Sequence, residues 1–455
     1  MAPTARSFSA DFEPLRLVAR FPECYPGLLE SAAATCTGDA RFDILPISCG
    51  ETLVLSADGN LQGPYCTAAG FLKALEQWWS ALKLPHTETS VPLNPAPPFT
   101  GGWLLYLGYE LASEIEPRLK LPPSPDPVTA LAIRAPAAWI RDRIARRAWL
   151  FAESGYESLL DRFEGHVKSL GDTVPCARVH LQIQEEESGQ FLDAVRRSLD
   201  YIAAGEVYQT NLSRQWRGSS QQDIDTVAIY RQLRTSNPSP FAAILRHGDF
   251  ALLSSSPERL LSIRRGFIST RPIAGTRPRG KSPQEDLQLV KTLLENEKER
   301  AEHVMLIDLE RNDLGRVCVA GSVRVDEFMS VETFAHVHHI VSNVVGWLRK
   351  DVSPIEAIRA LFPGGTITGC PKIRCMEIIA ELEASGRGAY TGSIGYLNRD
   401  GDCDLNILIR TISVGLRTFA FRAGAGIVAD SSPLQELAET RAKAEGLMRA
   451  LAGVI

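Results

Sequence analysis

Residues 241–275, FAAILRHGDFALLSSSPERLLSIRRGFISTRPIAG, limit the fold more than any other stretch of the chain. Apolar, strand-like runs follow one another there, joined by the short connections HGD and RRG, which are too brief for a crossover between parallel strands. Such runs pair as antiparallel hairpins. Helical patterns keep to other places. Phe191, Val195, Leu199 and Ile202 share one face until Gly205 stops the pattern. Ser282-Pro283-Gln284-Glu285 has capping-box spacing and opens a helical pattern running to about Asp308, and Ser432-Pro433-Leu434-Gln435 repeats the device before a last helix. Strands and helices in segregated runs predict an α+β fold with a mostly antiparallel sheet rather than a doubly wound one.

With 455 residues the chain is long enough for one very large core or for several of ordinary size. Its net charge of −5 and its scattered arginines give no basic footprint for nucleic acid, so the expected substrate is a small molecule. No apolar run reaches membrane-span length and the N-terminus has no signal-peptide core, which predicts a cytoplasmic protein with no membrane partner. Nine cysteines without a CxxC pair read as reduced thiols. The polar, acidic stretch QIQEEESGQ, residues 182–190, reads as a linker or surface excursion between an N-terminal part (1–181) and a C-terminal part (191–455).

Several clusters carry possible chemistry. Glu299 and Glu302 stand one helical turn apart, as do Glu436 and Glu439 with Lys443 further along the same face. Two such faces meeting across a cleft would suit a hard cation such as Mg²⁺, although the spacing by itself is that of ordinary helix surface. The run HVHHIVSNVVG reads as a strand, so His336 and His338 face one side and His339 the other. FPGGTITGCPK and RAGAGIVADSSP are glycine-rich turns that match no phosphate-binding fingerprint. The loop TRPIAGTRPRG, 270–280, has the arginines and glycines of an anion cradle, and at its centre, where a nucleophile would stand, is Ala274.

In chain order, GEVYQTNLS, SSSPERL, RPIAGTRPRG, ERAEHVMLIDLERNDLGRV, HHIVSNVVG, FPGGTITGCPKIRCMEII, YTGSIGYL, NILIRT and GAGIVADSSPLQELAETRAKA resemble the chorismate-utilising enzymes. That family includes the anthranilate, aminodeoxychorismate, isochorismate and salicylate synthases. LLES and RFDIL add a weaker match in the first part. The resemblance implies that both parts build one large α/β sandwich. It implies Mg²⁺ held by Glu302 and Glu439, with Glu299 and Glu436 reaching it through water, the ion holding the ring carboxylate of chorismate. Arg410, Tyr390 and the backbone around Gly426 would bind the enolpyruvyl carboxylate with Lys443 nearby, while Gly275 and Thr276 line the site. Glu258 would protonate the departing C4 hydroxyl, and His339 would be the one histidine of the cluster that faces substrate. Ser31, Arg41, Phe42, Pro240, Phe241 and Ala242 match the family's tryptophan pocket.

Gln209 stands where the isochorismate and salicylate synthases have a Lys that activates water. The resemblance therefore implies an amine nucleophile, ammonia supplied by a glutamine amidotransferase partner. The motifs VHHIVS, FPGGTITG, YTGSIGYLN, DLNILIRT and GYELASEIEPRLKLP are similar to the aminodeoxychorismate synthase branch, which serves 4-aminobenzoate and folate synthesis. Two site positions are similar to the anthranilate branch instead: Ala274, where aminodeoxychorismate synthases usually carry a nucleophilic Lys, and Thr366, where many have Ser. The branch reading is aminodeoxychorismate synthesis by a non-covalent or altered route, with anthranilate synthesis as the alternative. An inactive tryptophan-binding homologue is the remote reading, and the intact set of glutamates with Glu258, His339 and Arg410 speaks against it.

Overall fold

Every strand pairing among the described residues is antiparallel, and the strands form two large sheets. A computed structural model describes residues 3–32, 41–89, 96–171, 181–333 and 337–453. The first sheet has twelve strands and runs from Thr4–Phe8 at one edge, through Phe241–His247 and Phe250–Ser256, to Thr418–Ile427, Gln209–Ser220 and Leu181–Glu185 at the other. The second has eleven and runs from Leu61–Gln62 through Gly102–Leu107 and Arg259–Arg264 to Val337–Trp347. Phe267–Arg271 and Ile273–Pro278 follow one another along one side of Val337–Trp347, and Arg324–Thr333 lies on its other side. Each sheet mixes strands from before and after residue 181.

The alternation of the strands decides the layers. Leu104, Tyr106, Leu131 and Ile133 of the second sheet meet Ala243, Leu245, Phe250 and Leu252 of the first in one buried cluster, so the sheets pack face to face. On the far face of the first sheet, Ile244, Leu253, Phe419 and Phe421 pack under the helices Thr226–Ser236 and Pro433–Ala452. On the far face of the second, Leu105, Leu261, Val344 and Leu405 pack under Phe71–Leu82, Glu297–Gly315 and Pro354–Leu361. The result is a four-layer sandwich, helices outside and sheets inside.

Two expectations change. Residues 182–190 are regular structure: Leu181–Glu185 is the edge strand, in register with Trp216–Ser220, and Ser188 opens the helix Ser188–Ala203. Glu185 meets arginines, accepting from Arg214 at 2.5 Å and from Arg441 at 2.8 Å, and the Arg214 side chain is fully buried, while Glu186 accepts from the Gln215 backbone N–H. The single helix expected from Ser282 to about Asp308 is two, Pro283–Glu295 and Glu297–Gly315. Asn296 leaves the helical conformation between them and caps the second by accepting from the backbone N–H of Glu299. The break turns Glu299 and Glu302 independently of the first helix.

The sheet edge nearest the site is fixed by a buried ionic cluster. Glu383 ends the helix Lys372–Glu383 and takes Arg387 at 2.6 Å, Arg422 at 3.0 Å and the backbone N–H and hydroxyl of Ser213. Arg387 goes on to the carbonyls of Asn211 and Ile367, tying two strands and a turn to one carboxylate. Burial raises the pKa of Glu383, but the two arginines outweigh it and hold the carboxyl below its ordinary value. Glu383→Gln leaves two buried guanidinium groups short of an anion. We expect a loss of about 3–5 kcal/mol of folding free energy in urea melts. Because the folded pKa is depressed, that contribution is present above the ordinary carboxylate range and fades as the pH falls through the folded pKa, so the two proteins should converge in acid.

Candidate active site

The chain crosses from the first sheet to the second at Pro257–Glu258 and back again between Asn406 and Thr411, where Arg410 lies. The two crossings are bonded to each other: Ile407 N–H donates to the Glu258 carbonyl at 3.0 Å and Ser255 N–H to the Arg410 carbonyl at 3.1 Å, while the Ser256 hydroxyl donates to the Ile407 carbonyl. Sandwich topology thus places an acid and a cation side by side.

Glu258 is 5% exposed, and its Oε1 accepts from the Thr366 hydroxyl at 2.6 Å. Burial pushes its carboxyl up to about 7, against the opposing pull of that hydrogen bond and of the charges on Lys443 and Arg410. Such a group titrates near neutral pH, and its protonated form can deliver a proton. Arg410 occupies the left-handed region at φ 52°. Burial lowers its pKa, Glu258 is the charge opposing that shift, and among the described residues no acceptor takes a hydrogen bond from its guanidinium. A half-buried cation lacking a hydrogen-bonded anion among the described residues, held on strained backbone, is suited to fork onto a ligand carboxylate.

His339 is 4% exposed and its Nδ1 lies 3.4 Å from the Gly275 carbonyl. Burial, with Arg410 adding, pushes its pKa down to about 3, so the ring is neutral at working pH. Its neighbour His338 points to the other face of the strand, towards Thr333 and Asp286 at 2.9 Å each. His336 lies outside the described residues.

Ala274 is buried opposite Ile340, and a bulge follows it before Thr276 pairs with His339. The bulge is why position 275 is Gly: its φ is 68°, and a Cβ there would sit 2.4 Å from Glu299 Oε2. Backbone strand and metal-candidate helix are therefore in direct contact.

The four glutamates divide between two helices, Glu297–Gly315 and Pro433–Ala452. Glu299 faces Arg277 at 2.6 Å, Glu302 accepts from Gln209 Nε2 at 2.7 Å, and Glu439 pairs with Lys443 at 2.7 Å. Lys443 also donates to the Gly424 carbonyl at 3.0 Å. Burial raises the pKa of Glu302, and Glu439 and Glu299 add to the rise against Gln209 and Lys443, which puts the three carboxylates within one another's field. Glu299 Oε2 is buried and has no hydrogen-bond partner among the described residues. That leftover acceptor, amid several carboxylates, fits a hard cation. The carboxylates are not drawn together on one point: Glu299 Oε1 turns to Arg277, Glu302 to Gln209 and Glu439 to Lys443. Gly426 borders the same place, since a Cβ there would meet Gln209 Nε2 at 2.4 Å and Glu302 Oε1 at 3.7 Å. Tyr390 is 7% exposed with its hydroxyl close against Gly424.

Of the other expected positions, Ser31, Phe42, Pro240, Phe241 and Ala242 line a separate cavity of about 630 Å³ between the sheets. Arg41 is not on its wall; the guanidinium is held by Asp142 at 2.8 Å. One residue near the site was missed. Glu310 is 4% exposed, accepts from Thr270, and its Oε1 would lie 3.2 Å from a Cβ on Gly365, next to the Thr366 that holds Glu258. Burial and Asp313 push its pKa up. The signal was present: Ile307, Glu310 and Leu314 share a helical face that is otherwise buried and apolar.

The chain matches the chorismate binding enzyme family over residues 37–449. It is 42% identical over 394 residues to aminodeoxychorismate synthase component 1 of Bacillus subtilis, covering 84% of this chain and 82% of that one. It is 39% identical over 467 residues to anthranilate synthase component 1 of Thermus thermophilus, covering 99% and 97%. Among solved structures, anthranilate synthase component I of Streptococcus pneumoniae superposes with a TM-score of 0.78 at 30% identity, covering 90% of this chain and 92% of that one. The menaquinone-specific isochorismate synthase of Escherichia coli shares the fold, with a TM-score of 0.74 at 20% identity over 99% and 95% of the chains. This protein is a chorismate-utilising enzyme and belongs to the chorismate binding enzyme family.

Proposed function

We propose that the protein is an aminodeoxychorismate synthase component I, which aminates chorismate at C4 with ammonia from a glutamine amidotransferase partner. The observation that carries the amination chemistry is the pairing of Glu258, whose carboxyl is pushed up to about 7, with an Arg410 guanidinium that no acceptor among the described residues hydrogen-bonds. Arg410 and Tyr390 take the enolpyruvyl carboxylate, and Glu302 and Glu439 would hold Mg²⁺, with Glu299 and Glu436 through water. When bound, the ion offsets the charge of the ring carboxylate. Glu258 then passes its proton to the C4 oxygen, the C4–O bond breaks and water leaves. The ammonia nitrogen takes the vacated C4 position and sheds a proton. Neutral His339 and Gln209 offer no charge that would fix ammonia as ammonium, and Gln209 cannot act as a base towards water. Ala274 places a methyl group where a Lys would form a covalent adduct, so this route needs no enzyme-bound intermediate. The inter-sheet cavity is assigned to tryptophan.

Ala274 and Thr366 favour a second reading, anthranilate synthesis through amination at C2. Incubation with chorismate, Mg²⁺ and ammonium, followed by mass analysis and coupling to a 4-amino-4-deoxychorismate lyase, separates the two. We expect 4-amino-4-deoxychorismate; anthranilate as the main product would replace the proposal by the second reading. Ala274→Lys should leave chorismate binding within a few-fold. A C2 adduct trapped on that lysine, absent from the unmodified protein, would mark the covalent route as the one the alanine removed.

A further inference from the structure

Tyr390 and Arg410, the pair assigned to the enolpyruvyl carboxylate, both lie on turns outside the regular elements. Thr391 at φ 64° and Arg410 at φ 52° occupy the left-handed region, which a residue with a side chain keeps only where its surroundings over-determine it. The two segments are bonded to each other: Thr391 N–H donates to the Leu408 carbonyl at 2.7 Å, and Leu408 N–H to the Gly392 carbonyl at 2.8 Å. They are also bonded to two acids from the N-terminal part, Glu110 and Asp126, each 7% exposed.

Glu110 sits in the short helical turn Tyr109–Leu111 that follows the strand Gly102–Leu107. Its Oε1 accepts from the Arg387 backbone N–H at 2.6 Å, and its Oε2 from the Gly388 N–H at 3.1 Å. Asp126, just before the strand Val128–Ala135, uses one oxygen twice: Oδ2 accepts from the Ala389 N–H at 2.7 Å and from the Ser413 hydroxyl at 3.1 Å. Ala389 adjoins Tyr390, and Ser413 belongs to the strand Thr411–Val414 that begins directly after Arg410. One carboxyl therefore ties both segments. Gly388 permits its approach, because the residue sits at φ 58° and a Cβ there would lie 2.3 Å from Asp126 Oδ2. The turn and the ring it carries are fixed together, since the Arg387 guanidinium, bonded to Glu383, lies over the Tyr390 ring at 5.4 Å from its centre.

We propose that Glu110 and Asp126 are positioning residues for substrate binding: without touching chorismate, they hold Tyr390 and Arg410 in the relative placement that receives its carboxylate. This rests on the reading that those two residues take that carboxylate, and it holds for amination at C4 or at C2 alike. The test is steady-state kinetics of the full chain with chorismate, Mg²⁺ and ammonium. Glu110 uses both of its oxygens, whereas glutamine offers one acceptor and turns an amide N–H towards a backbone N–H. Glu110→Gln should therefore raise KM about tenfold with kcat within about threefold, and Asp126→Ala should do the same. In Asp126→Asn the single amide oxygen can still take both donors, so KM should stay within about twofold of the unsubstituted chain. Ser413→Ala cuts only the tie to the Arg410 strand and should raise KM about threefold. It removes one hydroxyl, and it keeps the test decisive if melting curves show that Asp126→Ala does not fold. In the Arg410→Met background, where the carboxylate has lost its main partner, Glu110→Gln should change KM by less than about twofold, a coupling that general loosening of the fold would not produce. Independent, multiplying effects in that double variant would overturn the proposal, as would equal KM in Asp126→Asn and Asp126→Ala. So would an unchanged KM in Glu110→Gln and Ser413→Ala while Arg410→Met raises it. An unchanged KM in Arg410→Met itself would remove the underlying reading, and the proposal with it.

Discussion

Glu258→Gln should give a protein that folds, binds chorismate and turns it over about 10³-fold more slowly, the size of effect expected when a general acid is replaced by a group without a proton to give. The same substitution should raise stability at alkaline pH. The carboxyl titrates near 7 in the folded protein and near 4.5 when unfolded, so the unfolded state loses its proton first as pH rises. Stability due to the protonated group is complete below the unfolded pKa and is lost across the window from about 4.5 to about 7. Above that window a buried carboxylate costs about 3 kcal/mol by the size of the shift, a cost glutamine does not have. Activity follows the opposite requirement. Because the protonated form is the acid, kcat/KM of the unsubstituted enzyme should fall tenfold per pH unit above about 7. Thermal melts at pH 5 and pH 8.5, read beside the pH–rate profile, check both. A variant with normal turnover, or one destabilised at pH 8.5, would remove Glu258 from the role of acid.

The sequence made some of this plain and hid the rest, for physical reasons. Short turns between apolar runs announced antiparallel hairpins, and both form: Phe241–Ser256 at the centre of the first sheet and Arg259–Arg271 within the second. Local pattern is enough there, because a two- or three-residue turn admits one pairing. It was not enough at 182–190, where acidic residues looked solvated; their partners Arg214 and Arg441 lie 29 and more residues away, and the strand exists through a long-range ladder. The break at Asn296 was hidden in a continuous helical pattern, because one asparagine, though it favours caps, costs a helix interior too little to mark a break by itself. At the site, motif order pointed to each residue, but not to what each touches. Nothing in SPERL or LIRT says that the two segments cross between sheets side by side. Glu310 was masked by the opposite error: its charge drew attention to solvent, while its position on an apolar stripe was the better guide.

Arg410 offers the second large effect, and its direction is set by the same burial. Arg410→Met keeps the bulk of the side chain and removes a cation that has no hydrogen-bonded anion among the described residues. Losing a charge-assisted fork to a carboxylate costs roughly 3 kcal/mol of binding, so KM for chorismate should rise by about two orders of magnitude. Stability should rise too, because a half-buried charge with no hydrogen-bonded anion among the described residues is unfavourable until the ligand arrives. Arg410→Lys discriminates charge from geometry: it keeps the cation but cannot present two parallel N–H groups, and it should recover only part of the lost affinity. A further readout ties the two crossings together. The Arg410 charge opposes the upward shift of Glu258, so in Arg410→Met the alkaline limb of the pH–rate profile should move to higher pH. An unchanged limb would mean that the guanidinium and the acid are electrostatically independent. An unchanged KM would mean that the substrate carboxylate is held elsewhere. In the expected outcome, higher KM, higher melting temperature and a displaced limb appear together, because one half-buried charge lies behind all three.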